Sequence, residues 1–71
     1  MVPDHLKAHK ELSYLYSQLG RKKKALLYFK KTSKLEPDNS HTQWNLGQAY
    51  QNLDQYEKSL EVFQKLSLIH I

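Results

Sequence analysis

Eight residues of the chain recur at a fixed offset of 34 positions. Leu12, Tyr16, Leu19, Lys24, Leu26, Phe29, Lys31 and Ser33 return as Leu46, Tyr50, Leu53, Lys58, Leu60, Phe63, Lys65 and Ser67. No gap is needed over the 32 pairs formed by 6–37 and 40–71. Most of the repeated positions are apolar or aromatic. A period of this length marks an array of stacked supersecondary units, because one such unit cannot cover its own apolar face. The echo therefore constrains architecture first, and it directs function toward binding rather than catalysis.

Within each unit the apolar residues follow helical spacing. Leu12, Leu15, Tyr16 and Leu19 form one i, i+3, i+4, i+7 stripe, and Ala25, Leu26, Phe29 and Leu35 a second. Leu46, Ala49, Tyr50 and Leu53, then Tyr56, Leu60, Phe63 and Leu66, repeat the arrangement. This periodicity predicts amphipathic helices near 6–19, 22–35, 40–53 and 56–68. Gly20 and Pro37-Asp38-Asn39 punctuate the pattern where turns are expected. No stretch alternates as a half-buried strand would. Two capping boxes are expected, Ser40 with Gln43 and Asp54 with Glu57, each a polar cap followed three residues later by a reciprocating side chain. The second helix instead begins Arg21-Lys22-Lys23-Lys24, placing cations at the positive end of its dipole, where each costs a few tenths of a kcal/mol.

Size and charge narrow the function classes. A chain of 71 residues buries only about 60% of its unfolded surface. It has no cysteine, which removes disulfides and thiolate metal sites. No apolar run approaches the ~18 residues of a membrane span, and the first residues lack signal-peptide character. These features place the protein by default in the cytoplasm, without a membrane partner. The net charge is +4 and lopsided. Residues 6–39 hold Lys7, Lys10, Arg21, Lys22, Lys23, Lys24, Lys30, Lys31 and Lys34 against Glu11, Glu36 and Asp38. From residue 40 onward, Lys58 and Lys65 face Asp54, Glu57 and Glu61. The basic run is first a solvated helix face. Its functional alternatives are a nuclear-import signal or a phosphate-contacting patch with Lys30, Lys31 and Lys34.

Trp44-Asn45-Leu46-Gly47-Gln48-Ala49-Tyr50, followed by Tyr56, Ser59, Leu60 and Phe63, resembles the tetratricopeptide repeat. So does the first unit, with Ala25, Phe29 and Leu35-Glu36-Pro37-Asp38-Asn39. The resemblance covers residues 6–71. It departs from the family pattern at His9 and Gln43, where a large apolar residue is usual, at Trp44, one place late, and at Lys22, which replaces the aromatic seen at Tyr56. The closing proline of the second unit is also absent. The resemblance implies an all-α fold, a right-handed α-α superhelix (solenoid) of two stacked helical hairpins. The chain is then one helical-repeat domain over 1–71, with repeat one at 6–39 and repeat two at 40–71. Small residues are expected where the paired helices cross: Gly47 and Ser13, opposite Ser59 and Ala25. Pro3-Asp4 lies 34 residues before Pro37-Asp38, so the phase predicts the closing turn of a preceding unit and a chain that is part of a longer array. The other reading is a short chain that self-associates through its exposed repeat ends.

What the resemblance implies for function is a concave groove, lined by the first helix of each repeat, that holds a segment of a partner protein. Carried onto this sequence, the groove positions are Lys7, Lys10, Glu11, Tyr14, Ser17 and Gln18 in repeat one. In repeat two they are His41, Trp44, Asn45, Gln48, Gln51 and Asn52. The residues themselves agree, since Tyr14 and Trp44 lie off the apolar stripes among amides, as on recognition surfaces; the bland alternative is that Trp44 tucks against the next helix. Lys10 and Asn45 match two positions of a clamp that some family members close on a terminal carboxylate, but Tyr14 stands where that clamp has another Asn. The leading reading is a peptide-binding scaffold module without catalytic residues. The alternative is a nucleic-acid or acidic-partner binder working through Arg21, Lys22, Lys23 and Lys24. His5 and His9 share a helix face without a third ligand, so neither metal nor cofactor is expected. There is no Gly-rich phosphate loop, Ser-His-Asp set or buried carboxylate pair to support an enzyme.

Overall fold

The computed structural model describes residues 4–69, with side chains over 6–68. Pro3, and with it the expected closing turn of a preceding unit, lies outside the described residues, as do the final two residues and the His5 side chain. Four helices follow in order: α1 (Asp4–Gln18), α2 (Lys22–Leu35), α3 (Ser40–Asn52) and α4 (Tyr56–Ile69). Among the described residues there is no strand. α1 packs on α2, α2 on α3 and α3 on α4, so two hairpins stack into a slab of 32 × 27 × 13 Å. This is the expected all-α arrangement of two stacked helical hairpins.

The apolar stripes account for the packing. Ala25, Leu26 and Phe29 of α2 meet Leu46, Ala49 and Tyr50 of α3 in the buried core, and Tyr16, Leu53 and Val62 pack around it. Burying a side chain of Leu or Phe size contributes roughly 1.5–3 kcal/mol, so the seam between the repeats supplies much of the stability. The crossing points need small residues, as expected. Ser13 and Ser59 are fully buried, and Ser13 turns its hydroxyl back to the His9 carbonyl at 2.7 Å. A Cβ on Gly47 would stand 2.6 Å from the Phe63 ring, closer than atoms tolerate.

Both inner turns end their first helix in the same way. In repeat one, Arg21 N–H donates to the Tyr16 carbonyl at 2.9 Å and Gly20 N–H to the Ser17 carbonyl at 3.1 Å. In repeat two, Gln55 N–H donates to the Tyr50 carbonyl and Asp54 N–H to the Gln51 carbonyl, both at 2.9 Å. These six-to-one and five-to-two bonds form a Schellman closure, which requires a left-handed residue just past the helix. Gly20 (φ 77°) and Asp54 (φ 61°) fill that place.

The two expected capping boxes need correction. Asp54 ends α3 rather than starting α4; the Gln55 carbonyl accepts the first bond of α4, from Ser59 N–H at 3.1 Å. The Asp54 carboxylate instead accepts from the Tyr56 hydroxyl at 2.9 Å, and that bond holds the Tyr56 phenol above its usual pKa. At α3 the cap is Asn39, one residue before Ser40, and its Oδ1 accepts from Thr42 N–H at 3.2 Å. Gln43 does not reach back to the cap. It is buried, where its Oε1 accepts from the Ser33 hydroxyl at 3.0 Å and its Nε2 donates to the Glu36 carbonyl at 3.3 Å. An amide stands at this normally apolar position because the end of α2 offers it partners.

Candidate functional site

A side chain of α1 reaches across to α3, joining the first helices of the two repeats. Tyr14 of α1 lays its ring edge-on against Phe29, with centroids 5.9 Å apart and planes at 80°. This geometry suits the quadrupoles of aromatic pairs, and it aims the hydroxyl at α3. There the hydroxyl accepts from Asn45 Nδ2 at 2.9 Å and lies 3.3 Å from His41 Nε2. In the ring tautomer with a bare Nε2, that nitrogen accepts a hydrogen bond from the Tyr14 hydroxyl. Three of the expected groove residues are thus joined across a sequence separation of about thirty residues.

Beside this junction lies a cavity of about 260 Å³, whose walls include Tyr14, Ser17, Asn45, Gln48 and Asn52 of the expected groove. Ala25, Phe29 and Ala49 supply apolar wall, and Lys22 a charge. Asn45, Gln48 and Asn52 are spaced i, i+3, i+7 on α3, so they form a single amide stripe along one helix face. Each amide offers donors and an acceptor. From sequence, Lys22 belongs to the basic run and to the repeat position of Tyr56, but not to the expected groove. The signal for its place in the cavity wall was present, since Lys22 lies three residues before Ala25 and so on the same face of α2.

The remaining expected groove residues are distributed as follows. Trp44 is 48% exposed. Lys7, Glu11, Gln18 and Gln51 are exposed and lie outside the cavity wall. Lys10 is drawn into a structural network: its Nζ stands 2.9 Å from Glu36 Oε1. The same carboxylate oxygen accepts from the Thr42 hydroxyl at 2.9 Å and from Asn39 Nδ2 at 3.3 Å. The Lys10 hydrogen bond, with help from Thr42 and Asn39 and against some desolvation, holds the Glu36 carboxyl below its usual pKa. Lys10 and Asn45, the two positions resembling a carboxylate clamp, are therefore both engaged within the chain.

The basic run does not act as a block. Arg21, Lys22, Lys23 and Lys24 are exposed around a shallow depression at the start of α2, and Arg21 makes no side-chain cap bond there. Lys22 also lines the cavity beside Tyr14. The Lys24 ammonium sits 5.5 Å from the Tyr16 ring centre, and Lys31 lies 5.1 Å from that of Tyr28. Tyr16 and Tyr28 stack on each other, with centroids 5.7 Å apart. Such cation–ring contacts contribute about 0.5–1 kcal/mol at exposed sites.

Among the described residues no helix is long and apolar enough to cross a membrane. Among the described residues, no group of three His, Asp or Glu is placed to hold a metal ion.

Comparison with known proteins agrees with the geometry. The sequence pattern of the tetratricopeptide repeat matches residues 7–39 and again 40–69. Over 48 residues the chain is 41% identical to the protein CTR9 homolog of Arabidopsis thaliana. That match covers 68% of this chain and 4% of the plant protein, so the chain spans a small fraction of that relative. No solved structure matches the chain. Tetratricopeptide repeats are general, non-catalytic protein-interaction units. Two consecutive matched repeats, a 34-residue echo and two stacked helical hairpins together show that the chain belongs to the tetratricopeptide repeat family.

Proposed function

We propose that this chain is a scaffolding module that holds an extended segment of a partner protein along its concave face, across α1 and α3. The observation that carries the reading is the amide stripe Asn45–Gln48–Asn52, set beside the Tyr14 bridge in the cavity between the repeats. Side-chain amides present donors and acceptors together, which is what an extended backbone requires of its binding surface. Exposed Trp44 one residue before the stripe supplies a large rigid contact of the kind that dominates interface energetics. The whole groove set stands as one surface in this proposal: Lys7, Lys10, Glu11, Tyr14, Ser17 and Gln18 on α1, with His41, Trp44, Asn45, Gln48, Gln51 and Asn52 on α3. Lys10 contributes by fixing the α1 position through Glu36 rather than by touching the segment.

A peptide-display selection with the 71-residue chain as bait tests this directly. Enriched peptides should lose at least tenfold in affinity on Trp44→Ala and on Gln48→Ala, two exposed or half-exposed positions outside the core. If no peptide is enriched, or if both variants bind as the parent does, the groove reading fails. An affinity that instead falls steeply with salt and vanishes on charge reversal of Lys22, Lys23 and Lys24 would favour a nucleic-acid or acidic partner bound through the basic run.

A further inference from the structure

A second cavity, of about 290 Å³, lies on the opposite side of α3 from the amide stripe. Its walls come from α2, α3 and α4, all inside the two matched repeats, and it shares no residue with the groove cavity. Leu46, Tyr50 and Val62 give it an apolar lining, and Lys58 and Lys65 of α4 flank it.

The internal repeat shows what such a site holds. A step back of 34 positions carries Tyr50, Val62, Lys58 and Lys65 onto Tyr16, Tyr28, Lys24 and Lys31, and the wall residue Gln43 onto His9. Repeat one fills that place with a ring of its own. Tyr28 stacks on Tyr16, with centroids 5.7 Å apart and planes 16° apart, and its ring lies 5.6 Å from that of His9. Lys31 stands 5.1 Å from the Tyr28 ring centre, and Lys24 5.5 Å from that of Tyr16. Repeat two has Val62 where repeat one has Tyr28, and the cavity lies among the counterparts of the residues that surround the Tyr28 ring. The two cations are kept there without a ring to cover. Among the described residues Lys58 and Lys65 pair with no carboxylate and lie over no aromatic ring, although Glu61 is within one turn of both.

We propose that this cavity is a docking site for one aromatic side chain, tyrosine or phenylalanine, of a partner protein. The ring lies against Tyr50 as Tyr28 lies against Tyr16, with Lys58 and Lys65 over the stacked pair. Ring stacking and cation–ring contact both favour this arrangement. The cavity covers a single ring, and the rest of the partner adds the contact area that a free aromatic compound lacks. The site is separate from the concave groove, so it is independent of the peptide-binding reading, and Trp44→Ala should leave it unchanged.

Titration of p-cresol, the side-chain analogue of tyrosine, into the isotope-labelled 71-residue chain tests the site by nuclear magnetic resonance. Millimolar p-cresol should shift the methyl signals of Leu46 and Val62 and the amide signals of 58–65. Methylcyclohexanol, its saturated analogue, should bind at least about threefold more weakly, because it has no π face. Val62→Tyr places the ring of repeat one in the cavity; it should stay helical by circular dichroism and abolish the amide shifts. The Lys58→Gln, Lys65→Gln double variant changes exposed positions only and should weaken p-cresol by about two- to fivefold per lysine. It decides the matter should Val62→Tyr unfold. Peptides selected by display against the Trp44→Ala, Gln48→Ala chain should carry an aromatic residue and should weaken in the same double variant. Equal binding of p-cresol and methylcyclohexanol overturns the proposal, as do shifts that spare Leu46 and Val62 or survive in Val62→Tyr. So does p-cresol affinity unchanged by the two lysine substitutions. Binding of p-cresol without any aromatic peptide overturns it too, since the cavity would then serve free phenols rather than a partner.

Discussion

Asn45 donates its side-chain amide to the hydroxyl of Tyr14 at 2.9 Å, and this bond ties the first helix of one repeat to the first helix of the next. Its energetic weight should be modest. Both groups reach solvent, and a hydrogen bond exchanged with water typically contributes about 0.5–1.5 kcal/mol. Tyr14→Phe should cost less than about 1 kcal/mol by denaturant unfolding, since the ring contact with Phe29 survives. In a double-mutant cycle, Asn45→Ala should cost measurably less in the Tyr14→Phe background than in the wild type. Strict additivity would mean that the bond contributes nothing.

The contact between Gly47 and Phe63 sets how closely α3 and α4 approach. Alanine at position 47 gains about 1 kcal/mol of helix propensity, but its Cβ meets the ring, and overpacking costs about 1–3 kcal/mol. Gly47→Ala should therefore be neutral to destabilising by about 2 kcal/mol. In a Phe63→Ala background the clash is gone, so the same substitution should stabilise by about 1 kcal/mol. This reversal of sign, read from chemical denaturation, separates the steric account from one based on propensity alone.

Asp54 holds a left-handed backbone that its partner in the repeat, Gly20, adopts without a side chain. Left-handed conformations cost an ordinary L-residue roughly 1 kcal/mol. Asp54→Gly should thus stabilise by about 0.5 kcal/mol after loss of the exposed Tyr56 bond, and Gly20→Ala should destabilise by about 1 kcal/mol. No atom stands within 4 Å of a Cβ built on Gly20, so that loss would report backbone strain only. Each 1 kcal/mol shifts the melting temperature of a domain this size by roughly 4–8 °C, which makes both changes readable by calorimetry.

The Lys10–Glu36 pair, joined to repeat two through Thr42, should make stability depend on acid. Because the folded carboxyl lies below its ordinary pKa near 4.5, chiefly through the Lys10 bond, the folded state binds the proton less readily than the unfolded chain. The stabilisation is therefore fully present above that ordinary pKa and is lost as pH falls through the lower folded value. Lys10→Met should flatten the loss of stability below about pH 4.5 without changing its behaviour near neutrality by more than about 1 kcal/mol. Equal acid slopes in the two proteins would remove Glu36 from the account.

The fold was legible because the apolar residues repeat both at helical spacing and at 34 positions. Spacing places Leu46, Ala49 and Tyr50 in a buried stripe, and the Pro37-Asp38-Asn39 punctuation sets the start of their helix at Ser40. The turns were less legible. Asp54 carries the composition of a helix start, but two backbone bonds from Gln55 and Asp54 close the preceding helix first, and a capping box cannot report φ. Gln43 looked like half of a cap or a misfit at an apolar position; only the approach of Ser33 and Glu36 shows why a buried amide is satisfied there. The family resemblance alone assigns Tyr14, Asn45 and His41 to one surface. Their mutual bonds, the capture of Lys10 by Glu36, and the entry of Lys22 into the cavity wall depend on how α2 sits between α1 and α3. That placement is a tertiary fact which the spacing along any one helix does not contain.

The central claim is that repeated positions build the stack and unrepeated ones on α1 and α3 bind the partner. Titration of a display-selected peptide into wild type, Trp44→Ala and Gln48→Ala, with a melting curve for each, tests it most directly. The account predicts at least a tenfold loss of affinity in both variants, melting temperatures within about 4 °C of wild type, corresponding to less than about 1 kcal/mol, and weak salt dependence. Unchanged affinity in both variants, with binding abolished by charge reversal at Lys22, Lys23 and Lys24, would contradict it.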